Sequence, residues 1–170
     1  MPRHPSPSSV GGDDLDWEER IAEAWAADVS DEERIGLIDA LAAERPEDDA
    51  VALFERAGAR DSAGWELEAE PLYRQALARG LDEDRRVQAV IQLASTIRNL
   101  GKVDESLALL RTEYERGTDA TLHDATAAFY ALALVSSGDA VHAASVALQA
   151  LAPHLPRYTR SVSGYARELL

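Results

Sequence analysis

The feature that most constrains the fold of this chain is a set of three evenly spaced glycines. Gly64, Gly101 and Gly138 follow one another at intervals of 37 residues. Small side chains stand seven residues before and five residues after each glycine: Ala57, Ala94 and Ala131 before it, and Ala69, Ser106 and Ala143 after it. A fixed period of this length is typical of repeat architectures, in which small residues mark close helix crossings. The spacing therefore predicts three copies of a unit in which a glycine turn joins two helices.

Each unit is predicted to be an antiparallel helix pair. Apolar residues recur at i, i+3, i+4 and i+7 on both sides of each glycine, which is the period of an amphipathic helix. Aromatic residues make up only 6% of the chain, and Ala and Leu dominate the apolar residues, which favours helix over strand. We expect the three pairs to span residues 48–80, 82–117 and 121–153.

Two further helices are predicted ahead of the repeats, over residues 14–46. They follow residues 1–13, which are rich in Pro, Ser and Gly and are predicted to form a disordered tail. The first of these helices is expected to begin near Asp16, and it carries Trp17 and Trp25 on one face. We interpret the two tryptophans as packing this helix onto the second one; the alternative is a binding interface.

The second of these helices has clear start and stop signals. Ser30 and Glu33 have the spacing of a capping box, which predicts the start of the helix. Arg45 and Pro46 are predicted to end it, and Pro46 is also expected to be the first residue of the next helix.

The expected fold is all-α, a right-handed superhelical stack of antiparallel helix pairs with about nine helices. Its parts are the tail, the N-terminal pair, three repeat pairs over residues 47–156 and a last helix over residues 157–170. Tyr158, Tyr165 and Ala166 lie on one face of that last helix. We expect it to cap the open end of the stack.

The first unit resembles the tetratricopeptide repeat, with Ala57, Gly64, Ala69, Tyr73 and Ala76 at the positions of its small, aromatic and glycine residues. The resemblance extends over roughly residues 48–166. Within it, the sequence is similar to a group of small bacterial tetratricopeptide proteins without an assigned activity. The later units depart from the pattern at four positions, which hold Ser106, Leu110, Glu113 and Ala147. The period is also about three residues longer than usual.

The resemblance implies a concave groove lined by the first helices of successive units, where ligands usually lie. The candidate ligand-binding residues are Phe54, Asp61, Gln88, Ile91, Gln92, Ser95, Arg98, Asn99, Phe129 and Leu132. The best-known tetratricopeptide site clamps an acidic C-terminal peptide with Lys, Arg and Asn side chains. Here those positions hold Phe54, Gly58, Gln92, Ala128 and Leu132, so a clamp of that kind is not expected.

Two interpretations of the polar stripe in the middle of the groove stay open. In the first, Gln92, Ser95, Arg98 and Asn99 bind a peptide backbone or a carboxylate, with the phenylalanines as apolar walls. In the second, Arg98 pairs with Asp61 on the neighbouring helix, and Asn99 caps its own helix. The two are compatible.

Composition argues against several other functions. The net charge of −14 repels nucleic acid and anionic lipid, so neither is an expected partner. The chain has no cysteine, and its four histidines lack the spacing of a metal site. We expect no catalytic residue, no metal and no cofactor, and a cytoplasmic location. The predicted function is a non-catalytic scaffold that binds a peptide or a partner helix in the groove. The alternative is a structural module that forms a homodimer.

Overall fold

The computed structural model describes residues 10–117 and 121–170, with residues 10–15 described by their backbone alone. This part of the chain contains nine α-helices and no strand. The helices are α1 (Val10–Ala26), α2 (Asp31–Ala42), α3 (Ala50–Ser62), α4 (Glu66–Arg79), α5 (Glu83–Asn99), α6 (Val103–Arg116), α7 (His123–Ser136), α8 (Ala140–Leu151) and α9 (Thr159–Glu168). A short 3-10 helix, Ala152–His154, follows α8. The all-α prediction is confirmed.

The helices stack in the order of the chain, and each packs against its neighbours in sequence. In addition, α3 packs against α5, and α5 packs against α7, so the first helices of the three repeat pairs form a continuous inner layer. Gly64, Gly101 and Gly138 lie in the turns within the pairs, with φ angles of 75°, 82° and 92°. These angles fall in the region that favours glycine, which explains the regular spacing.

The N-terminal boundaries differ from two of the expectations. Residues 1–9 of the expected tail lie outside the described residues, but α1 begins at Val10, six residues before the expected start at Asp16. Extending an existing helix costs far less than starting a new one, so the buried part of α1 supports the turns that precede it.

The structure contradicts the expectation that Pro46 is the first residue of the next helix, because α3 begins at Ala50. Asp49 is the N-cap of α3, because its Oδ1 accepts the N–H of Ala52 at 2.8 Å. Pro46 instead lies in the turn before it, where its carbonyl accepts the N–H of Asp49 at 2.9 Å. The expected start of α2 is confirmed, since Ser30 and Glu33 form both hydrogen bonds of a capping box.

The core consists of three clusters of buried side chains that follow one another along the stack. Ala57, Ala69 and Ala94 are fully buried, as expected for close crossings. Ser106, one of the departures from the repeat pattern, is also fully buried, and its Oγ donates to the carbonyl of Ala94 at 2.6 Å. A small hydroxyl therefore replaces alanine without an unpaired polar group.

Glu113 departs from the small-residue pattern because it forms an ion pair inside the second repeat pair. Its side chain is 6% exposed, and both carboxylate oxygens accept hydrogen bonds from Arg86 of α5, at 2.7 Å and 2.8 Å. Arg86 also donates to Glu83, at 2.8 Å and 2.9 Å. The hydrogen bonds to Glu113 raise the pKa of Arg86. The pair joins α5 to α6 where other units use an alanine contact.

The last helix packs on the end of the stack. Ser145 of α8 is fully buried and donates its hydroxyl to the carbonyl of Ala166 at 2.7 Å. Ala166 is fully buried as well. Within the described residues, no helix has both the length and the apolar character needed to cross a membrane.

We expect Arg86→Met to be much more destabilising than neutralisation of its exposed partner. The substitution leaves the buried Glu113 carboxylate without its cation, which costs about 3 kcal/mol of unfolding free energy. Glu83→Gln, the matched control at the exposed end of the same arginine, is expected to cost about 0.5 kcal/mol. Urea denaturation followed by circular dichroism measures both.

The double variant Arg86→Met with Glu113→Met tests whether the lost stability comes from the unpaired charge or from lost packing of the Arg86 side chain. It removes both charges together and is expected to recover most of the lost stability. A double variant as unstable as Arg86→Met alone would show that the ion pair is not the cause.

Candidate functional site

A cleft of about 560 Å³ opens on the inner side of the stack, between α1, α3 and α5. Most of its wall comes from α1 and α3, with two residues from α5 and one from α4. The lining residues are Glu18, Ile21, Ala22, Trp25, Phe54, Glu55, Gly58, Asp61, Ser62, Tyr73, Gln88 and Gln92. A volume of this order is typical of ligand-binding clefts.

The cleft brings together four of the ten residues predicted from the sequence. Phe54 and Asp61 line it from α3, and Gln88 and Gln92 line it from α5. The other six lie outside it, since the cleft extends from α3 towards α1 and not towards α7. These are Ile91, Ser95, Arg98, Asn99, Phe129 and Leu132.

Ile91 and Phe129 differ from the expectation in their burial. Ile91 is 6% exposed and packs in the core with Val87 and Leu110, so its side chain is not available to a ligand. Phe129 is half-buried and packs against the same part of the core. Leu132 is 46% exposed, and Ser95 and Arg98 are half-buried. The periodic pattern identified the apolar face of α5 and α7. It did not show which residues of that face are buried in the core and which are accessible to a ligand.

The predicted ion pair between Arg98 and Asp61 is wrong. Asp61 instead accepts hydrogen bonds from the hydroxyls of Thr96, at 2.8 Å, and Tyr73, at 3.3 Å. Successive residues of a helix are rotated by about 100°, so Thr96 and Arg98 point in directions about 200° apart. The guanidinium of Arg98 lies 3.5 Å from the side-chain oxygen of Asn99. Asn99 does not cap α5 either, because Leu100 is the C-cap residue.

The two tryptophans of α1 have different roles. Trp17 is 4% exposed and donates its indole N–H to the carbonyl of Leu41 at 2.9 Å, which confirms that it packs α1 onto α2. Trp25 instead reaches α3, where its indole N–H donates to Oε2 of Glu55 at 2.7 Å. A Cβ atom at Gly58 would lie only 3.3 Å from the Trp25 ring. The absence of a side chain at Gly58 therefore lets the indole lie against α3.

The sequence reasoning missed the contribution of α1 to the site. Glu18, Ile21, Ala22 and Trp25 all line the cleft, although they lie outside the repeat units. Their spacing of three and four residues does show that they share a face of α1. No sequence signal identified α3 as the helix that this face meets.

The titratable groups of the cleft are acidic. Glu18, Glu55 and Asp61 line it, and its lining contains no Lys, Arg or His among the described residues. Burial raises the pKa of both Glu55 and Asp61 above their ordinary values. For Asp61, the hydrogen bonds from Thr96 and Tyr73 oppose this effect. The described residues contain no group of three side chains placed to hold a metal ion.

The charges around Glu55 come from two neighbouring helices. The pKa of Glu55 is lowered by the hydrogen bond from the Trp25 indole of α1 and by the charge of Arg85 on α5. The charge of Glu18 on α1 raises it. Arg85 forms ion pairs with Glu18 and, at 2.8 Å, with Asp82. Because the effect of burial is the largest, Glu55 keeps a proton to a higher pH in the native chain than in the unfolded chain.

One residue of the cleft lining, Gln92, has a side-chain atom without a hydrogen-bond partner among the described residues. The side-chain oxygen of Gln92, Oε1, is buried and has no hydrogen-bond partner among the described residues. A buried acceptor without a donor is costly, so it is expected to be satisfied by water or by a ligand.

We expect Glu55→Gln to stabilise the protein at neutral pH. The amide oxygen still accepts the Trp25 N–H, and the desolvated charge is gone. A raised native pKa contributes stability below the unfolded pKa, and that contribution is lost as the pH rises through the native pKa. The advantage of the variant over wild type should therefore shrink as the pH falls through the raised native pKa, and it should be gone once the pH is below the ordinary glutamate range.

Unfolding free energies from urea titrations at neutral and acidic pH test this expectation. Glu19→Gln, at an exposed position on α1, is the control for the loss of one negative charge. A Glu55→Gln protein that is less stable than wild type at neutral pH would contradict the assignment.

Comparison with known proteins agrees with the architecture. A family model described as tetratrico peptide repeat matches residues 50–169, which include α3 to α9 and leave α1 and α2 outside. No curated protein and no solved structure gives a significant match. Because the family model covers well over half of the sequence, the chain belongs to the tetratricopeptide repeat family.

Proposed function

We propose that this chain is a cytoplasmic, non-catalytic scaffold that binds a peptide segment of a partner protein in the cleft between α1, α3 and α5. Tetratricopeptide repeats typically serve as protein-interaction modules. The observation that carries the proposal is the preformed cleft on the inner layer of helices, which combines apolar walls with hydrogen-bonding groups.

The dimensions of the cleft favour a short extended segment over a complete helix. A volume of about 560 Å³ suits a few side chains. The half-buried Trp25 and the exposed Ala22 provide apolar surface for them, while Ser62 and Gln88 are exposed polar residues of the lining. A peptide backbone needs such polar partners along its length.

The remaining predicted residues extend the proposed path beyond the cleft. Ser95, Arg98 and Asn99 follow Gln92 towards the end of α5, and Phe129 and Leu132 lie on α7, which packs against α5. We propose that a longer peptide continues from the cleft along these residues. The inner layer of α3, α5 and α7 supports this direction.

Filling the cleft should abolish binding. Ala22 is an exposed residue of α1 that lines the cleft, so Ala22→Trp adds bulk there without removing a core contact. Peptides are selected from a random displayed library on the wild-type protein and then measured individually by fluorescence polarisation. We expect selected peptides to lose at least about tenfold in affinity for Ala22→Trp, since an indole occupies the space of their anchoring side chain.

Ala144→Trp provides the matched control, because Ala144 is an exposed residue of α8 outside the cleft. This variant should bind the selected peptides as wild type does. Failure to select any peptide, or equal binding to wild type and Ala22→Trp, would overturn the proposal.

A homodimer is the second candidate, and the distribution of exposed apolar side chains favours it. Among the described residues, most large exposed apolar side chains lie between Leu132 and Leu170. Tyr158, Tyr165 and Leu170 are the most exposed of these, at 74%, 69% and 72%. Apolar surface of this kind at the end of a repeat stack is suited to association with a second copy.

Light scattering at decreasing protein concentration tests the homodimer. The expected mass is that of a dimer, and Tyr165→Glu is expected to reduce it to that of a monomer, because a charge would be buried in the contact. Glu168→Gln, three residues away, is the control. A monomeric wild type at every concentration would rule the homodimer out.

A further inference from the structure

The charge of the cleft identifies the chemistry of a ligand. Three carboxylates line it, and the lining includes no cationic side chain among the described residues. Glu18 already forms an ion pair with Arg85. Glu55 and Asp61 are left with neutral hydrogen-bond donors only: Trp25 for the first, and Thr96 and Tyr73 for the second. A cation from outside the chain would stabilise both carboxylates in their charged forms.

Both carboxylates of α3 lie at the same cleft. Glu55 and Asp61 each stand three residues from Gly58, and all three residues line the cleft. The Trp25 ring fills the place of a side chain at Gly58, because a Cβ atom there would lie only 3.3 Å from the ring. The two carboxylates and the indole therefore border one opening.

A carboxylate oxygen of the cleft is free to accept a hydrogen bond from a ligand. Trp25 occupies Oε2 of Glu55, and no described residue donates to its Oε1. A ligand that donates to Oε1 of Glu55 and to the Asp61 carboxylate must carry several N–H groups.

The walls of the cleft favour a flat cation over a compact one. Trp25 is the half-buried aromatic ring of the lining, whereas Phe54 and Tyr73 are 7% and 0% exposed and pack against each other in the core. A guanidinium is planar, stacks on aromatic rings and has five N–H donors, whereas a lysine ammonium is compact and strongly hydrated. Arg34 lies 5.9 Å from the Trp25 ring but donates to the carbonyls of Ala24, Trp25 and Ala27 and does not line the cleft.

We propose that the cleft recognises an arginine side chain in the peptide segment of the partner, with the guanidinium bound by Glu55 and Asp61 and stacked on the Trp25 ring. This inference rests on the proposed peptide-binding function and gives it a specificity. It is also the opposite of an acidic-peptide clamp, since the cleft supplies the negative charges and the partner supplies the positive one.

A mixture of two peptide libraries tests the proposal. The first has arginine at the central position, the second has the uncharged isostere citrulline there, and both have random uncharged residues on either side. The mixture is passed over immobilised full-length protein, and mass spectrometry measures the ratio of captured arginine peptides to captured citrulline peptides. We expect wild type to enrich the arginine peptides by at least about tenfold, because hydrogen bonds to charged groups are the stronger ones.

Three variants locate the preference in the cleft. Glu55→Gln keeps the acceptor for Trp25 and Asp61→Asn keeps an acceptor for Thr96, so both should fold, which circular dichroism and urea denaturation verify. Each is expected to reduce the arginine preference several-fold, and Ala22→Trp should abolish it. Ala144→Trp, outside the cleft, should leave it unchanged.

The outcomes separate this inference from the function on which it rests. Peptides captured without an arginine preference, but lost with Ala22→Trp, would overturn the arginine site and leave the peptide-binding function standing. A preference that survives in both Glu55→Gln and Asp61→Asn would also overturn the site. Capture of neither library by wild type would overturn the site and the proposed function together.

Discussion

Close crossing of helices at small side chains is the contact on which the rest of this structure depends. Ala57, Ala69 and Ala94 are fully buried at these crossings. With a methyl group at the contact, two helix backbones approach closely, and the glycine turn that joins them is short. Stacking of successive pairs then buries their apolar faces. The inner layer of α3, α5 and α7 follows from that stacking.

The cleft arises because one helix outside the repeats meets this inner layer. Trp25 brings α1 against α3 at Gly58, and the ion pair between Glu18 and Arg85 joins α1 to α5. The repeats alone would present an open surface there. Burial raises the pKa values of Glu55 and Asp61, and Glu18 of α1 also raises that of Glu55. The position of α1 therefore affects the electrostatics of α3.

The sequence predicted the repeat architecture well, because the signals that specify it are local. A glycine at a positive φ angle, a capping box such as Ser30 with Glu33, and a period of 3.6 residues all act within one helix or turn. Each can be read from the chain without knowing what lies beside it. The departures at Ser106 and Glu113 were visible too, but their explanation required the partner atoms on Ala94 and Arg86.

The site was less predictable, because it depends on which residues of different helices meet. Periodicity gives the face of a helix to within about a quarter turn, and a shift of two residues reverses the direction of a side chain. That is why Thr96, and not Arg98, contacts Asp61. The same limit applies to Ile91, which lies next to the groove face in the helical projection but is buried in the core.

The position of the cleft has a consequence for how such a protein changes during evolution. Every residue that lines it belongs to α1, α3, α4 or α5. Loss of helix pairs after α6 would remove the path along α7 that we propose for a longer peptide, while every residue that lines the cleft would remain. A change on the cleft face of α1 would instead alter the lining and leave the repeats as they are. The two parts of the proposed binding surface can therefore change separately.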